Sequence, residues 1–393
     1  FERGYIYHIT LNLQTSGTIS AILEKEGDEH YYDLSRLHKY EVDNESGSTG
    51  NNSIEVFKIA NCYIIDPTSE HLVLKDENGN NLKDDNGNNI PYDGYCFLAT
   101  IIGNGQAGII SQGSQTLYPD HEDISPVSAH LLWESELGLV TNVELKFGYV
   151  RFKVPKGVNA RGNAVVAVYD EKGKILWSWH IWITESLQEV EIELGEGEHH
   201  TITVLDRNLG ATRATCTNGD QALETYGLYY QWGRKDPFLG SSSILYESMA
   251  EARSTITWPS VASSNSSIGT IEYATANPTT FIAYNSNNYD WYYTVSVSTD
   301  NTRWTTSESS KSIYDPCPSG WRVPDGGSTG VWAKAIGSSS SFNNANGENL
   351  SVKTQDFGSW NGSSILFAST KIQLQIGSNS RPSATIKEDK SPW

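Results

Sequence analysis

The sequence predicts a mainly β protein, in which an antiparallel β-sandwich is followed by an α+β region rich in loops. Three observations support this prediction. Gly, Ser, Asn and Thr dominate the polar residues, while charged residues make up only 19% of the chain. Strand-length segments alternate between apolar and polar residues and are separated by turn residues. Long helical segments are not evident between these strands, which disfavours a helical bundle.

The chain of 393 residues is long enough for two or three domains. We divide it into residues 1–13, 14–186 and 187–393. The first range contains the segment from Gly4 to Leu13, where apolar and polar residues alternate as in a strand. Because this strand opens at the very first residues, we interpret 1–13 as the last strand of a preceding domain. We assign the second range to the β-sandwich and the third to the loop-rich region.

Two segments define the predicted sandwich strands. From Tyr149 to Pro155 apolar residues alternate with Arg151 and Lys153, which we expect to face water. A hairpin follows, with strands at Ala164–Tyr169 and Ile175–Ile183 and a short turn between them. Strands joined by such turns are typical of a sandwich.

The second strand of this hairpin carries three tryptophans. Trp177 and Trp179 share one face, and Trp182 lies on the other face with Ser178 and His180. Exposed Trp rings would form a platform for stacking sugars, but both faces of this strand carry bulky side chains. We therefore favour a core-facing side and a second, partly covered side.

Several glycine-containing segments match functional motifs but are better explained as turns. The repeat at Lys75–Ile90 has acidic and amide residues as in a calcium loop, yet its Gly comes too early and the closing Glu is missing, which favours an Asn-Gly hairpin turn. The GNGQAG string at Gly103–Gly108 precedes no helix, which favours a turn over a nucleotide site. The GGSTG string around Ser328 lacks the preceding buried strand of a nucleophile elbow.

The third range begins with an alternating segment and later becomes rich in aromatic residues. Gln188–Leu194 places glutamates on one face, as in an edge strand protected by like charge. Aromatic rings beside Asn, Asp and Arg suit the recognition of carbohydrate or extended peptide. The alternative is that these aromatic residues hold long loops onto a small core. The candidate ligand-binding residues are Tyr289, Trp291, Tyr293, Arg303 and Trp304.

Charge and motif content exclude several classes of function. The net charge of −19 makes nucleic acid and anionic membrane surfaces poor partners. No apolar run reaches the ~20 residues of a transmembrane helix. We predict no metal, no cofactor and no enzyme activity, since the sequence lacks HExxH, a P-loop and zinc-type Cys pairs. A glycosidase-type carboxylate pair assembled in space stays an open alternative. The four Cys permit zero, one or two disulfides.

Three longer strings carry a family resemblance. They are VLDRNLGAT from Val204, YGLYYQWGRKDPF from Tyr226, and IYDPCPSGWRVPD at Ile313–Asp325. In this order they resemble the FISUMP domain of Bacteroidetes and Fibrobacteres surface proteins, which has a fold similar to C-type lectins. The strings ANCYIIDP and ISPVSAHLLW and the Trp-rich hairpin resemble the β-sandwich that precedes this domain in fimbrillin-like proteins. The opening strand is similar to the last strand of a fimbrillin domain.

The resemblance implies a C-type-lectin-like fold for residues 187–393, with an incomplete C-terminal end. It gives Cys317 two options, a partner that this sequence lacks or Cys216. The calcium-dependent sugar-binding strings of C-type lectins do not occur in the sequence, so it implies no calcium-bridged sugar site. We expect structural rather than catalytic roles for the following motif residues: Asp206, Arg207, Asn208, Gly210, Gln231, Trp232, Gly233, Arg234, Asp236, Cys317, Pro318, Trp321, Arg322 and Pro324.

The whole chain then resembles the distal part of a fimbrillin-family adhesin or tip pilin. We expect an exported protein, associated with the cell surface, the outer membrane or a pilus. Its C-terminal region would bind a host or microbial glycan or protein, and other pilin subunits are a further class of partner. The alternative is a surface glycan-binding lipoprotein of a polysaccharide uptake system. An enzyme is a third class, because formylglycine-generating enzymes share the lectin-like fold, but their paired active-site Cys are not evident here.

Overall fold

The computed structural model of the chain describes residues 7–13, 19–25, 31–34, 36–42, 52–67, 80–81, 83, 86–87, 95–110, 121–146, 148–155, 160–193, 201–214, 224, 227–238, 259–283, 290–294, 303–304, 311–323, 358–360, 364–367, 372–375 and 386–387. The strands of the first half are β1 (Tyr7–Leu13), β2 (Ile19–Lys25), β3 (Tyr31–Asp33), β4 (Arg36–Val42), β5 (Asn52–Ile59), β6 (Cys62–Ile65), β7 (Tyr95–Ala99), β8 (Ile101–Gly103), β9 (Gly105–Ile110), β10 (His121–Asp123), β11 (Ser128–Glu134), β12 (Thr141–Lys146), β13 (Tyr149–Lys153), β14 (Gly162–Tyr169) and β15 (Ile175–Ile183).

The second half of the chain forms shorter elements. Within the described residues, its elements are β16 (Glu189–Glu193), β17 (Thr201–Leu205), β18 (Tyr229–Tyr230), β19 (Pro237–Phe238), β20 (Ser260–Ser263), the short helix α1 (Ile271–Ala276), β21 (Thr280–Ala283), β22 (Trp321–Arg322), β23 (Gly358–Trp360), β24 (Ser364–Phe367), β25 (Ile372–Gln375) and β26 (Ile386–Lys387).

Two four-stranded sheets form the β-sandwich. One sheet has the order β11-β14-β15-β6, and the other has the order β12-β13-β7-β3. Most neighbours are antiparallel, but the edge strands β6 and β3 run parallel to β15 and β7. Parallel pairing requires a long connection, which the large sequence separation of both pairs provides. The prediction of a mainly β protein is confirmed, whereas each sheet is mixed rather than purely antiparallel.

The hairpin β14–β15 confirms the predicted strands and shows what fixes their turn. The Asp170 N–H donates to the Lys174 carbonyl over 2.9 Å. The Asp170 carboxylate accepts the backbone N–H groups of Lys172 and Lys174 at 2.9 and 2.8 Å. Gly173 takes a φ of +76°, which only glycine adopts at little cost. The turn is therefore held by an aspartate at its start and a glycine near its end.

The core of the sandwich lies between its two sheets. Trp177 and Trp179 enter it from β15, Leu98 enters from β7, and Val150 and Phe152 enter from β13. All five side chains are at most 4% exposed. The sequence predicts one core-facing side of β15 without choosing it, and in the structure it is the side with Trp177 and Trp179.

The opposite face of β15 is fully covered from Ser178 onward, whereas Leu176 at its start is partly buried. Ser178, His180 and Trp182 are at most 1% exposed, although the sequence predicts only partial cover. Their cover comes from the C-terminal region, which shares an apolar cluster with the sandwich. We call this the joint cluster, and its buried members are Cys62, Trp133, Val165, Trp182, Leu205, Leu209, Leu228, Tyr230, Trp304, Cys317 and Val323. The two predicted domains thus meet across a buried interface.

One prediction about the outer face of the sandwich is wrong. Arg151 is only 8% exposed rather than facing water. Its guanidinium pairs with Glu144 and lies 4.0 Å from the centroid of the Tyr95 ring. Lys153 lies over the same ring at 4.6 Å. The alternation along β13 is correct, but side chains of the neighbouring strands cover its outer face.

Other predicted elements have mixed outcomes. Strand β16 lies at the edge of the sheet β16-β17-β26-β22, as its glutamate pattern predicts. The predicted turn between β8 and β9 is confirmed, and Asn104 occupies it. Asn86 and Gly87 form an exposed turn with a φ of +83° at the glycine. Strand β1 pairs with β2, which follows it in the chain. That residues 1–13 complete a preceding domain stays a prediction.

Helix α1 connects the parallel strands β20 and β21. Thr270 precedes the helix with an extended backbone, and its side-chain oxygen accepts the Tyr273 N–H at 3.1 Å. Glu272 places a negative charge in the first turn, where the helix dipole favours it. The resulting strand-helix-strand unit is the part of the C-terminal region against which the candidate aromatic residues pack.

Candidate functional site

Residues 290–294 include the candidate residues Trp291 and Tyr293, and hydrogen bonds fix this segment to the rest of the protein. The buried Asp290 carboxylate pairs with the guanidinium of Arg303. The indole N–H of Trp291 donates to the Trp232 carbonyl, and its own carbonyl accepts the Ser264 hydroxyl at 2.6 Å. The backbone conformation of this segment is therefore set by the protein interior.

Three of the predicted ligand-binding residues lie inside the protein. Trp291, Arg303 and Trp304 are 4%, 8% and 3% exposed. The Trp304 indole N–H donates to the Arg234 carbonyl at 2.9 Å, and its ring lies 4.8 Å from that of Trp232. This burial favours the alternative that the sequence left open, in which these residues hold loops onto a small core. Their side chains are not available to a ligand in this conformation.

The side chains that reach the surface here are tyrosines. Tyr292 and Tyr293 are both partly exposed. The Tyr292 ring meets the Trp291 ring edge to face at 5.8 Å, and the Arg303 guanidinium lies 5.2 Å from its centroid. The Tyr293 N–H donates to the Gly269 carbonyl at 2.9 Å. Sequence reasoning named Tyr293 but missed Tyr292, and both are partly exposed, so alternation along this segment does not separate them. Tyr289 lies outside the described residues.

Gln231 and Arg234 of the second motif bind the strand-helix-strand unit β20-α1-β21. Gln231 donates to the Ile282 carbonyl at 2.8 Å and accepts the Ile282 N–H at 2.9 Å. One guanidinium nitrogen of Arg234 donates to Gln231 and to the Thr280 carbonyl, at 2.8 and 2.7 Å. Its other terminal nitrogen reaches carbonyls at the end of α1. Burial lowers the pKa of Arg234 to about 10, so the group stays charged at neutral pH.

Gly233 permits this arrangement. Its φ is +79°, and a Cβ at this position would lie 2.4 Å from the Cβ of Arg303. A side chain would therefore push Arg303 away from Asp290 and Trp291. The motif positions Gln231 to Arg234 and the candidate aromatic residues form one buried assembly.

The first motif, from Asp206 to Gly210, connects the C-terminal region to the sandwich. Arg207 makes two hydrogen bonds with the Asp206 carboxylate, at 2.8 and 2.9 Å, and donates to the Thr184 hydroxyl at 2.8 Å. Gly210 has a φ of +82°, and its carbonyl accepts the side-chain N–H of Asn163 at 2.8 Å. Asn208 is 2% exposed and lies within the same turn. These contacts fix the turn against β14 and the end of β15.

Side chains on the second face of β15 form hydrogen bonds with the first motif and with β14. The Trp182 indole N–H donates to the Ala211 carbonyl at 3.0 Å. The Nε2 of His180 contacts the Asn163 side-chain oxygen at 2.9 Å. Because the Asn163 amide already donates elsewhere, that oxygen is an acceptor and Nε2 carries the proton. Burial lowers the pKa of His180 to about 3, so the ring is neutral.

A buried ion pair joins the second motif to the same strand. Lys235 and Asp236 are 3% and 4% exposed and pair with each other. The Ser178 hydroxyl donates to Asp236 at 2.7 Å, and Lys235 donates to the Ser178 carbonyl at 3.0 Å. Burial lowers the pKa of Lys235, and Asp236 opposes this shift. The lysine ammonium also lies 4.6 Å from the Trp177 ring centroid.

The third motif encloses a buried carboxylate. Asp315 is fully buried and accepts the backbone N–H groups of Cys317 and Val323, both at 2.8 Å. Burial raises its pKa. The Asn61 side chain, just before β6, donates to the Asp315 carbonyl at 2.8 Å. The Asp315 carboxylate therefore stabilises the loop of the third motif, and the Asp315 carbonyl binds the sandwich through Asn61.

The remaining residues of this motif lie at its border. Pro318 is buried, and its carbonyl accepts the Trp321 N–H at 3.1 Å. Trp321 and Arg322 form β22, pair with β26 and are partly buried. Pro324 lies outside the described residues. The motif residues that the structure describes are thus placed in turns, strands and buried networks.

No arrangement for metal binding is found among the described residues, because they contain no group of three or more His, Cys, Asp or Glu that could hold an ion. Ser328 lies outside them. The part of the chain that is described also has no helix of sufficient length and apolar character to cross a membrane.

Comparison with protein-family models found no match, and comparisons with curated proteins and with solved structures found none either.

Proposed function

We propose that this chain is a non-enzymatic, exported cell-surface adhesin, or a tip or accessory subunit of a pilus. It binds a glycan or protein through its C-terminal region, whose fold is C-type-lectin-like. The proposal rests on the three motifs that resemble the FISUMP domain and on the upstream strings that resemble fimbrillin-like sandwiches. The mainly β architecture is compatible with it.

One structural observation supports a specific contact surface. Tyr292 and Tyr293 are partly exposed on a segment whose neighbours Asp290 and Trp291 are buried and hydrogen-bonded. A rigid support lowers the entropic cost of binding, because the rings need not be ordered when the ligand arrives. Tyrosine offers both an apolar face and a hydroxyl, which suits sugars and extended peptides. We therefore assign ligand contact to these two tyrosines, with Trp291, Arg303 and Trp304 as their support.

The test is a binding screen with three forms of the chain. The parent is applied to an immobilised panel of glycans, mucins and matrix proteins, and the ligands it binds are titrated. Tyr292→Ala/Tyr293→Ala is expected to lose at least ten-fold in affinity while its thermal unfolding midpoint stays close to that of the parent. Tyr169→Ala removes a partly exposed tyrosine from the sandwich and serves as the matched control.

The expected result is loss of binding in the double variant and retained binding in the control. Binding that survives within two-fold in the double variant would contradict the assigned surface. Equal loss in the Tyr169 variant, or no binding by the parent to any member of the panel, would contradict the proposed function.

A further inference from the structure

Two buried cysteines from distant parts of the chain meet at the interface between the sandwich and the C-terminal region. Cys62 is the first residue of β6 and is 1% exposed. Cys317 belongs to the third motif and is fully buried. Both are thiols in the structure and both are members of the joint cluster.

The backbone brings Cys62 beside the segment that contains Cys317. Cys62 and Pro318 form a parallel β-bridge. Paired strands lie roughly 4.8 Å apart. Cys317 directly precedes Pro318, so its Cα is one residue away from the position that pairs with Cys62. Disulfides form between Cα atoms about 4.4 to 6.8 Å apart. The bridge is held by the Asn61 side chain, which donates to the Ile313 and Asp315 carbonyls, both at 2.8 Å.

The pKa shifts in this region agree with a shared location of the two thiols. Burial raises the pKa of Cys317 well above its ordinary value, and the charges of Asp315 and Cys62 add to this effect. Burial also raises the pKa of Tyr230, with further contributions from Cys62 and Cys317. Tyr230 belongs to the joint cluster together with both cysteines.

We propose that Cys62 and Cys317 are oxidised to a disulfide that joins the sandwich to the C-terminal region. The two thiols give up two protons and two electrons, and one S–S bond forms. The electron acceptor is an external disulfide, such as oxidised glutathione or a thiol–disulfide oxidoreductase, whose S–S bond is reduced to two thiols. Because the thiolate is the reacting form, and burial disfavours it in the folded protein, the bond forms while the chain folds.

The other two cysteines define the competing outcomes. Cys96 is fully buried in the sandwich core, in a cluster separate from the joint cluster. It is therefore the matched control for a buried cysteine that stays reduced. Cys216 lies outside the described residues, and the family resemblance leaves its pairing with Cys317 open. A link between Cys62 and Cys317 excludes that pairing.

The test is a disulfide map of the whole chain. The protein is folded in a mixture of oxidised and reduced glutathione, alkylated after denaturation without reductant, and digested for mass spectrometry. We expect one linked peptide pair containing Cys62 and Cys317, with Cys96 and Cys216 alkylated. Four alkylated cysteines, or a link from Cys317 to Cys216 or to Cys96, would overturn the proposal.

Variants give a second readout. In Cys62→Ser we expect Cys317 to become alkylated, whereas Cys96→Ser keeps the link. Reductant is expected to lower the thermal midpoint of the parent and of Cys96→Ser but not of Cys62→Ser. Equal sensitivity of all three forms would count against the link. The map of the parent decides the question even if a variant does not fold. Its result does not depend on any ligand, so it can fail while the proposed function stands.

Discussion

Replacing Trp182 by alanine tests how strongly the C-terminal region is bound to the sandwich. Trp182 is fully buried in the joint cluster, and its indole N–H donates to the Ala211 carbonyl at 3.0 Å. Truncation of a buried Trp to Ala typically costs about 3 to 5 kcal/mol. The Ala211 carbonyl would also lose its donor, which adds about 1 to 3 kcal/mol. We therefore expect Trp182→Ala to lower the free energy of unfolding by about 4 to 8 kcal/mol.

The assay is equilibrium unfolding in guanidinium chloride, followed by both circular dichroism and tryptophan fluorescence. A loss of this size is a large part of the ~5 to 15 kcal/mol of a typical domain, so the midpoint should fall steeply. Trp182→Phe keeps most of the apolar contact and should lose less. Trp321→Ala removes a partly buried Trp from the border of the same cluster and should also lose less. A loss below about 1 kcal/mol in Trp182→Ala would refute the interface, because a buried ring cannot be removed at so small a cost.

Three further predictions concern stability. Gly233→Ala should destabilise the chain clearly more than Gly173→Ala; both have positive φ, but only the first would place a Cβ 2.4 Å from another side-chain carbon. Burial lowers the pKa of His180 to about 3 in the folded protein, whereas the unfolded chain protonates this ring below pH ~6.5. Between these pH values the unfolded state binds one proton more than the folded state. The free energy of unfolding should therefore fall toward pH 3 by up to about 1.4 kcal/mol per pH unit. Asp236→Asn leaves a buried ammonium unpaired and should cost about 3 to 5 kcal/mol, whereas Glu185→Gln, in an exposed ion pair, should cost less than about 1 kcal/mol.

Each of these stability predictions has its own measurement. Chemical unfolding of the two glycine variants should separate their free energies, and equal losses would contradict the close approach to Arg303. Unfolding of His180→Gln between pH 6.5 and 3 should show a shallower pH dependence than the parent, and an identical slope would contradict a neutral buried imidazole. Similar losses in Asp236→Asn and Glu185→Gln would contradict the burial of the lysine pair.

Local sequence patterns are sufficient to predict the hairpin β14–β15. Its alternation, its Asp170 and its Gly173 all act within a few residues, and the structure contains each of them. The edge position of β16 follows from its glutamates in the same way. Such elements are predictable because the pattern and the contacts that satisfy it lie close together in the chain.

Contacts between distant segments could not be predicted in this way. The parallel pairing of β6 with β15 and the burial of Arg151 depend on strands that are far apart in sequence. The burial of Ser178, His180 and Trp182 on β15 also depends on residues beyond position 200. The pattern of β15 showed bulk on both faces, but it carried no information on which segment covers the second face.

The candidate site illustrates the same limit. Sequence reasoning selected Trp291 and Trp304 because aromatic residues beside polar ones suit ligand binding. Both have a buried partner for the indole N–H, on carbonyls of the second motif. A single sequence cannot distinguish an aromatic residue that faces a ligand from one that faces a distant carbonyl. Tyr293 was already a candidate from the sequence, whereas Tyr292 becomes one only when the burial of Trp291, Arg303 and Trp304 is known.

Native-state hydrogen exchange tests most directly whether the sandwich and the C-terminal region form one cooperative body. The reporters are the amides of β14 and β15 in the sandwich and those of Leu228 and Arg234, which donate to the Leu209 and Gln231 carbonyls. If the interface is as tight as the buried contacts indicate, both groups open with the same free energy and the same denaturant dependence. Opening of the Leu228 and Arg234 amides at a free energy lower by more than about 2 kcal/mol, with β15 still protected, would contradict it.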